Sequence, residues 1–220
     1  MEATAPSARS RVRRHAERAR YERETVLAIL DEGLVCHLGF VVGGTPFVMP
    51  TMYARRGEVI YVHGSPASRM LNAAAGGVDV CLTVTLLDGL VLARSAFSHS
   101  MNFRSVVVLG RAREVVDEEE KMAAFEALIE HVCPGRWADA RQPSPKELAA
   151  TRVLRLALGE ASAKVREGGP KDVEDDLELP VWAGELPLRV RPQAPQRHQQ
   201  VPPEVSVPAY VLEYARSGWD

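Results

Sequence analysis

Hydrophobic and polar positions alternate along much of this chain, in short stretches divided by glycines and charged turns. Residues 34–42 are apolar and β-branched, Gly43-Gly44-Thr45 supplies a turn, residues 47–53 form a second extended run, Arg56-Gly57 turns again, and residues 58–63 form a third. In residues 78–86, Val80, Leu82 and Val84 alternate with Cys81, Thr83 and Thr85, the period of a strand with one buried face. Asp88-Gly89 predicts another turn before a brief extended piece at 90–93, residues 106–112 predict a strong β-branched strand, and residues 152–158 and 160–166 a closing pair. Two stretches keep helical spacing instead. Val26, Leu27, Ile29 and Leu30 share a face, with Gly33 placed for a left-handed cap; Met122, Phe125, Leu128, Ile129 and Val132 share another, behind an acidic first turn and before Pro134-Gly135. Six or so short strands with helices inserted between them, rather than strict βαβ alternation, predict a mainly β fold with α: a six-stranded antiparallel barrel with flanking helices.

Composition narrows the class. The 220 residues are 46% hydrophobic and 25% charged with a formal net charge of −2, enough apolar content for one full core and no overall field for nucleic acid or membrane. No apolar run reaches the length of a membrane span and the first residues lack a signal-peptide pattern, so the cytoplasm is expected. Cys36, Cys81 and Cys133 are odd in number, widely separated and without C-x-x-C spacing, which predicts reduced core residues rather than disulfides or a zinc site. Three regions follow: a basic arm at 1–20, a domain at 21–190, and a tail at 191–220 rich in proline and, in its first half, glutamine. The arginines from Arg9 to Arg23 come without an aromatic ladder or recognition motif, so a solvated face is expected rather than a nucleic-acid contact.

Chemistry concentrates in two places. In Tyr61-Val62-His63-Gly64-Ser65-Pro66-Ala67-Ser68-Arg69, a strand runs into a sharp turn and a predicted helix start, with Ser65 at the N-cap and Pro66 in the first helical position. Unpaired N–H groups, the hydroxyls of Ser65 and Ser68, and Arg69 would together suit a dianionic phosphate, with His63 at the same mouth. A plain capped helix with a solvated arginine is the structural alternative. The second place runs from Ser95 to Ser105, where Ser98, His99, Ser100, Asn102, Arg104 and Ser105 crowd before an apolar strand; ordinary loop polarity is the alternative there. The nucleophile elbow, dinucleotide fingerprint, phosphate-binding loop with Gly-Lys-Ser/Thr and zinc-protease helix motif are all absent. His37, His63, His99 and His131 lack the spacing of a metal constellation, so no metal is expected.

Three ordered segments, Pro46-Phe47-Val48-Met49-Pro50-Thr51, Ile60 through Arg69, and Phe97 through Val106, together resemble the pyridoxamine 5'-phosphate oxidase-like FMN-binding split-barrel superfamily. Within it they resemble the flavin-nucleotide-binding branch that includes the nitroimidazole-resistance (Nim) proteins. The resemblance implies a homodimer with flavin at its interface, the phosphate on the turn after the third strand and the ring against the second. It carries over cofactor contacts to Met49, Pro50 and Thr51, to His63, Gly64 and Ser65, to Ser68 and Arg69, and to His99, Ser100, Asn102, Arg104 and Ser105. His63 is implied on the substrate side, the candidate catalytic residue. Met70 stands where the true oxidases follow Ser-Arg with lysine, and their C-terminal Arg and His signature is missing, which points away from vitamin B6 oxidation. The implied function is a flavin-dependent oxidoreductase that uses FMN, with FAD possible, to pass electrons from a small donor to a small acceptor such as a nitro compound. The alternative is a non-catalytic protein that binds, stores or senses flavin, or holds haem in the same pocket.

Overall fold

The structure, a computed structural model, describes residues 5, 7–68, 71–72, 77–216 and 218–219. Among these, ten strands form one antiparallel sheet: β1 (Ala19–Arg20), β2 (Val35–Val42), β3 (Thr45–Arg56), β4 (Val59–Gly64), β5 (Asp79–Leu92), β6 (Ser100–Arg111), β7 (Arg113–Glu114), β8 (Arg152–Ala157), β9 (Glu160–Arg166) and β10 (Gly184–Pro187). The hydrogen-bonded order is β1-β9-β6-β5-β2-β3-β4-β8-β7, with β10 on β5. β8 and β9 lie near opposite ends of that path, yet only Leu158 and Gly159 separate them in sequence. The sheet must therefore curl until its ends meet, and since no ladder joins β8 to β9 the closure has a seam. This is a split barrel, the mainly β fold with α expected above.

The predicted alternation builds the interior. Leu38, Phe40, Ile60, Val62, Val80, Leu82, Val84, Val106, Val108, Leu154 and Leu156 point inward, and helix α1 (Arg23–Glu32) adds Val26, Ile29 and Leu30. Each such aliphatic side chain contributes about 1.5–3 kcal/mol by leaving water. Helix α2 (Glu118–Val132) starts at Asp117, whose carboxylate accepts from the Glu120 N–H at 2.7 Å, and covers β3 and β4 from outside, where Ala124 packs with Tyr61, Val115 and Val153. Three short helices follow: α3 (Arg136–Asp139), α4 (Pro145–Ala149) and α5 (Ala209–Leu212).

Several local expectations change. Gly33 is extended (φ −69°, ψ 144°), not left-handed; a Cβ there would meet Val84 Cγ1 at 2.5 Å and the Tyr53 hydroxyl at 2.9 Å, so close approach requires the glycine. Asp88-Gly89 is not a turn. β5 runs through it with one extra residue, a β-bulge: Leu87 pairs with Phe103 but Gly89 with Asn102, and the buried positions shift from Val80, Leu82 and Val84 to Gly89 and Val91. β6 starts at Ser100, six residues before its β-branched core, because the polar residues there pair with the far half of β5. Pro46 and Pro50 sit inside β3, whose first half pairs with β2 alone; on such an edge the missing N–H is tolerated.

The ends of the chain pack on this frame. The arm lies along β9, with β1 paired to Lys164 and Ala163 and the Arg14 carbonyl accepting from Lys164 Nζ at 3.2 Å. After a fully exposed stretch from 189 to 200, the tail returns: Arg216 donates to the carbonyls of Asp31 (2.5 Å), Glu32 (3.1 Å) and His131, and the Tyr214 hydroxyl to that of Val132 (2.8 Å). One cation thus caps the C-terminal ends of α1 and α2, where orphan carbonyls and the negative dipole end favour it.

Candidate functional site

The first cluster forms at the end of β4. His63 is in register with Val153 of β8 and points outward against α2, its ring 5.9 Å from that of Phe125. Its Nδ1 is buried with no hydrogen-bond partner, and burial pushes the pKa below the ordinary histidine value, so the ring is neutral near pH 7. Beyond Gly64 the chain turns: the Ser68 N–H donates to the Ser65 carbonyl at 2.9 Å and the Ala67 N–H to Ser65 Oγ at 3.2 Å. Farther along, the Asn72 N–H donates to the Ser68 carbonyl at 2.9 Å. Arg69 and Met70 lie outside the described residues.

A cation that the sequence pattern did not bring forward stands beside this turn. Register pairs Gly64 with Arg152, whose Nε donates to Glu114 at 3.0 Å and whose Nη1 donates to Asn72 Oδ1. Its second terminal nitrogen and the Ser68 hydroxyl make no hydrogen bond among the described residues. Only the β4–β8 register could have revealed Arg152, since nothing local marks it.

Met49, Pro50 and Thr51 lie on the half of β3 that has one partner strand, opposite Leu38, His37 and Cys36. The surface here is apolar, with Val35, Val41, Val48 (64% exposed) and Met49 (46%) open to solvent. His37 sits among them on the outer side of β2 and makes no hydrogen bond among the described residues.

The second cluster is organised differently. Ser95 caps a 3-10 turn (Ala96–Ser98) and its carbonyl contacts His99 Nδ1 at 2.9 Å; Ser100 opens β6. Asn102 is buried, donating to Glu185 Oε2 at 2.6 Å and accepting from Arg166 Nη1. Arg104 places all its bonds on two carboxylates: Nε and Nη2 reach Asp88 at 3.0 and 2.7 Å, Nη2 reaches Glu32 at 2.8 Å, and Nη1 also meets Glu32. Both acids hold the guanidinium firmly protonated, its pKa raised above the ordinary arginine value. The Ser105 hydroxyl donates to the Lys164 carbonyl at 3.4 Å. An open cavity of about 500 Å³ lies against Glu32, Asp88, Asn102, Arg104, Glu185 and Gly218 and includes no residue of the first cluster. Three strands, β5, β2 and β3, separate β6 from β4 in the sheet.

Residues 22–165 match the family model for pyridoxamine 5'-phosphate oxidase. The chain belongs to the pyridoxamine 5'-phosphate oxidase family. Among solved structures of that fold, the flavocytochrome Anf3 from Azotobacter vinelandii is 43% identical over 98% of this chain and 99% of its own, with a TM-score of 0.91. The FAD and haem binding protein from Mycobacterium smegmatis is 34% identical over 89% of this chain and 96% of its own, with a TM-score of 0.85. A candidate 5-nitroimidazole antibiotic resistance protein from Bacteroides thetaiotaomicron shares the fold at 22% identity, covering 67% of this chain and 86% of its own, with a TM-score of 0.57. A search of curated proteins finds no match. The family model ends at residue 165, whereas the match to the flavocytochrome, over 98% of the chain, also takes in the tail that closes on α1 and α2.

Proposed function

We propose that this member of the pyridoxamine 5'-phosphate oxidase family is a redox protein that binds a flavin nucleotide together with a haem, and passes electrons to a small acceptor. The observation that carries this is identity of 43% along essentially the whole chain, tail included, with a flavocytochrome. The M. smegmatis relative binds FAD and haem, which favours FAD over FMN. Bound flavin would supply two-electron and one-electron transfer, and haem one-electron transfer and an iron centre.

The residues present fit both groups. His131 is committed to the Gly33 carbonyl at 2.7 Å, His99 contacts Ser95, His15 is ion-paired with Glu17, and His198 accepts from the Gln200 N–H. His63 and His37 alone make no hydrogen bond among the described residues. Of these two, His63 is held neutral by burial and lies against an aromatic ring, as an iron ligand requires an unprotonated nitrogen in an apolar setting. The free donors of Ser68 and Arg152, with Arg69 from the sequence, would hold a flavin phosphate. The apolar strip over Val35, Val41 and Val48 fits a second copy of the chain, giving the homodimer that the resemblance implies. The three free cysteines suit a reducing compartment, and the proposal includes the cytoplasm as the protein's location.

The test is the visible spectrum of the purified chain, followed by titration with FAD, FMN and haemin. Expected are a flavin spectrum and a Soret band, with His63→Ala losing the Soret band while retaining flavin. A chain that stays colourless after titration would refute the proposal, and loss of the Soret band in His37→Ala instead of His63→Ala would move the iron site to β2.

A further inference from the structure

A second cavity, of about 240 Å³, opens where the basic arm meets the end of β9, away from the His63 turn and beside the second cluster, with which it shares Glu167 and the bond from Arg166 to Asn102. Its wall carries four cationic side chains, Arg18, Arg20, Arg166 and Lys171, against two carboxylates, Glu17 and Glu167. Arg166 is the unusual member. It is only 6% exposed, yet its terminal nitrogens meet only neutral oxygens, those of Asn102, Gly168 (2.6 Å) and Gly169 (3.1 Å), and its Nε is buried with no acceptor. No carboxylate lies within ion-pair distance of it among the described residues. Glu185, the acid whose field it feels, is hydrogen-bonded to Asn102. Burial and the neighbouring charge of Arg18 both disfavour the protonated guanidinium.

A buried cation beside a second cation is costly unless an anion joins them. The local acids supply little: Glu17 is 3.7 Å from Arg18 but also engages His15 at 3.3 Å, and Glu167 has no partner among the described residues. Arg20 uses Nη1 to cap the carbonyls of Glu17 and Ala19, which fixes the arm at the rim. Lys171 has no hydrogen bond or ion pair among the described residues and is free to swing onto a ligand.

We propose that this cavity binds a phosphate-bearing anion through Arg18, Arg166 and Lys171, a site separate from the Ser65–Ser68 turn. Guanidinium groups pair with two phosphate oxygens at once and lysine adds a movable charge, the combination that phosphate recognition uses. The phosphate could come from free inorganic phosphate or from a nucleotide, and the experiment separates them. The full-length chain, saturated with FAD and haemin, is titrated calorimetrically at low ionic strength with inorganic phosphate and, separately, with ADP. Expected is saturable binding of at least one of these, one per chain, weakened about tenfold or more by Lys171→Glu and by Arg18→Glu. Lys171 is exposed, so its variant should keep the parent melting temperature in phosphate-free buffer, and added ligand should raise the melting temperature of the parent only. Binding of phosphate assigns a free oxyanion site, and binding of ADP alone a nucleotide site. Absence of saturable binding with both ligands, or an affinity that Lys171→Glu leaves unchanged, would overturn the proposal.

Discussion

The two polar clusters contrast in how their hydrogen-bonding capacity is used. Around Asn102 and Arg104 the groups answer one another, guanidinium to two carboxylates and amide to carboxylate and to a second guanidinium, and only the Nε of that second one, Arg166, is left over among them. Around His63 they do not, since Nδ1 is buried without a partner, and Ser68 and one arm of Arg152 have none among the described residues. Satisfied networks hold a fold together, whereas groups left unsatisfied beside an apolar wall are positioned for something that arrives later. The cation that the sequence offers to a flavin at Arg104 is, within one chain, the link between α1, β5 and β6.

The sharpest way to break this comparison is Arg104→Ala. It leaves Glu32, 6% exposed, without its counter-charge, and we expect a loss of about 3–5 kcal/mol in urea unfolding. A loss below 1 kcal/mol, with flavin affinity reduced instead, would turn the second cluster into a binding site. Arg216→Ala should come next. It uncaps three carbonyls at the ends of α1 and α2 and should cost about 2 kcal/mol, with faster hydrogen exchange in the last turns of both helices. Unchanged exchange there would separate the tail from the helices it touches.

The smallest effect sharpens the other side. Burial holds the folded-state pKa of His63 and of His131 below the ordinary 6.5, so the unfolded chain takes up protons first as the pH drops. Their contribution to stability is complete above about 6.5 and is lost as the pH falls through the folded values. Melting temperature should therefore decline from pH 7 to pH 5, and His63→Gln should flatten that decline. A decline of equal steepness in the variant would mean that His63 is solvated and titrates normally.

The barrel was legible because alternation of the type Val80, Leu82, Val84 reports a buried face directly, and helical spacing at Val26, Ile29 and Leu30 reports the element that plugs it. Local signals failed where a distant partner decides. Gly33 carries the cap residue's identity, but the neighbouring Tyr53 and Val84 set its role. Ser100 to Ser105 look like a loop until β5 supplies a strand to pair with. Arg152 joins the turn after β4 only through the ladder between β4 and β8, and the partners of Arg104 come from α1 and from the bulge. No pattern within a short window contains such pairings.

The bulge at Asp88 also sets what kinds of genetic change the protein can absorb. Because the extra residue reverses which positions of β5 face inward, the strand behaves as two reading phases joined at one point. Substitution at Asp88 would cost an ion pair with Arg104, whereas deletion would remove the bulge and leave an unbroken alternation in which Leu86, Gly89 and Val91 still share the inward face and Gly89 still meets Asn102. The bulged residue is thus dispensable to the phase of β5, and what it contributes is the carboxylate it offers Arg104.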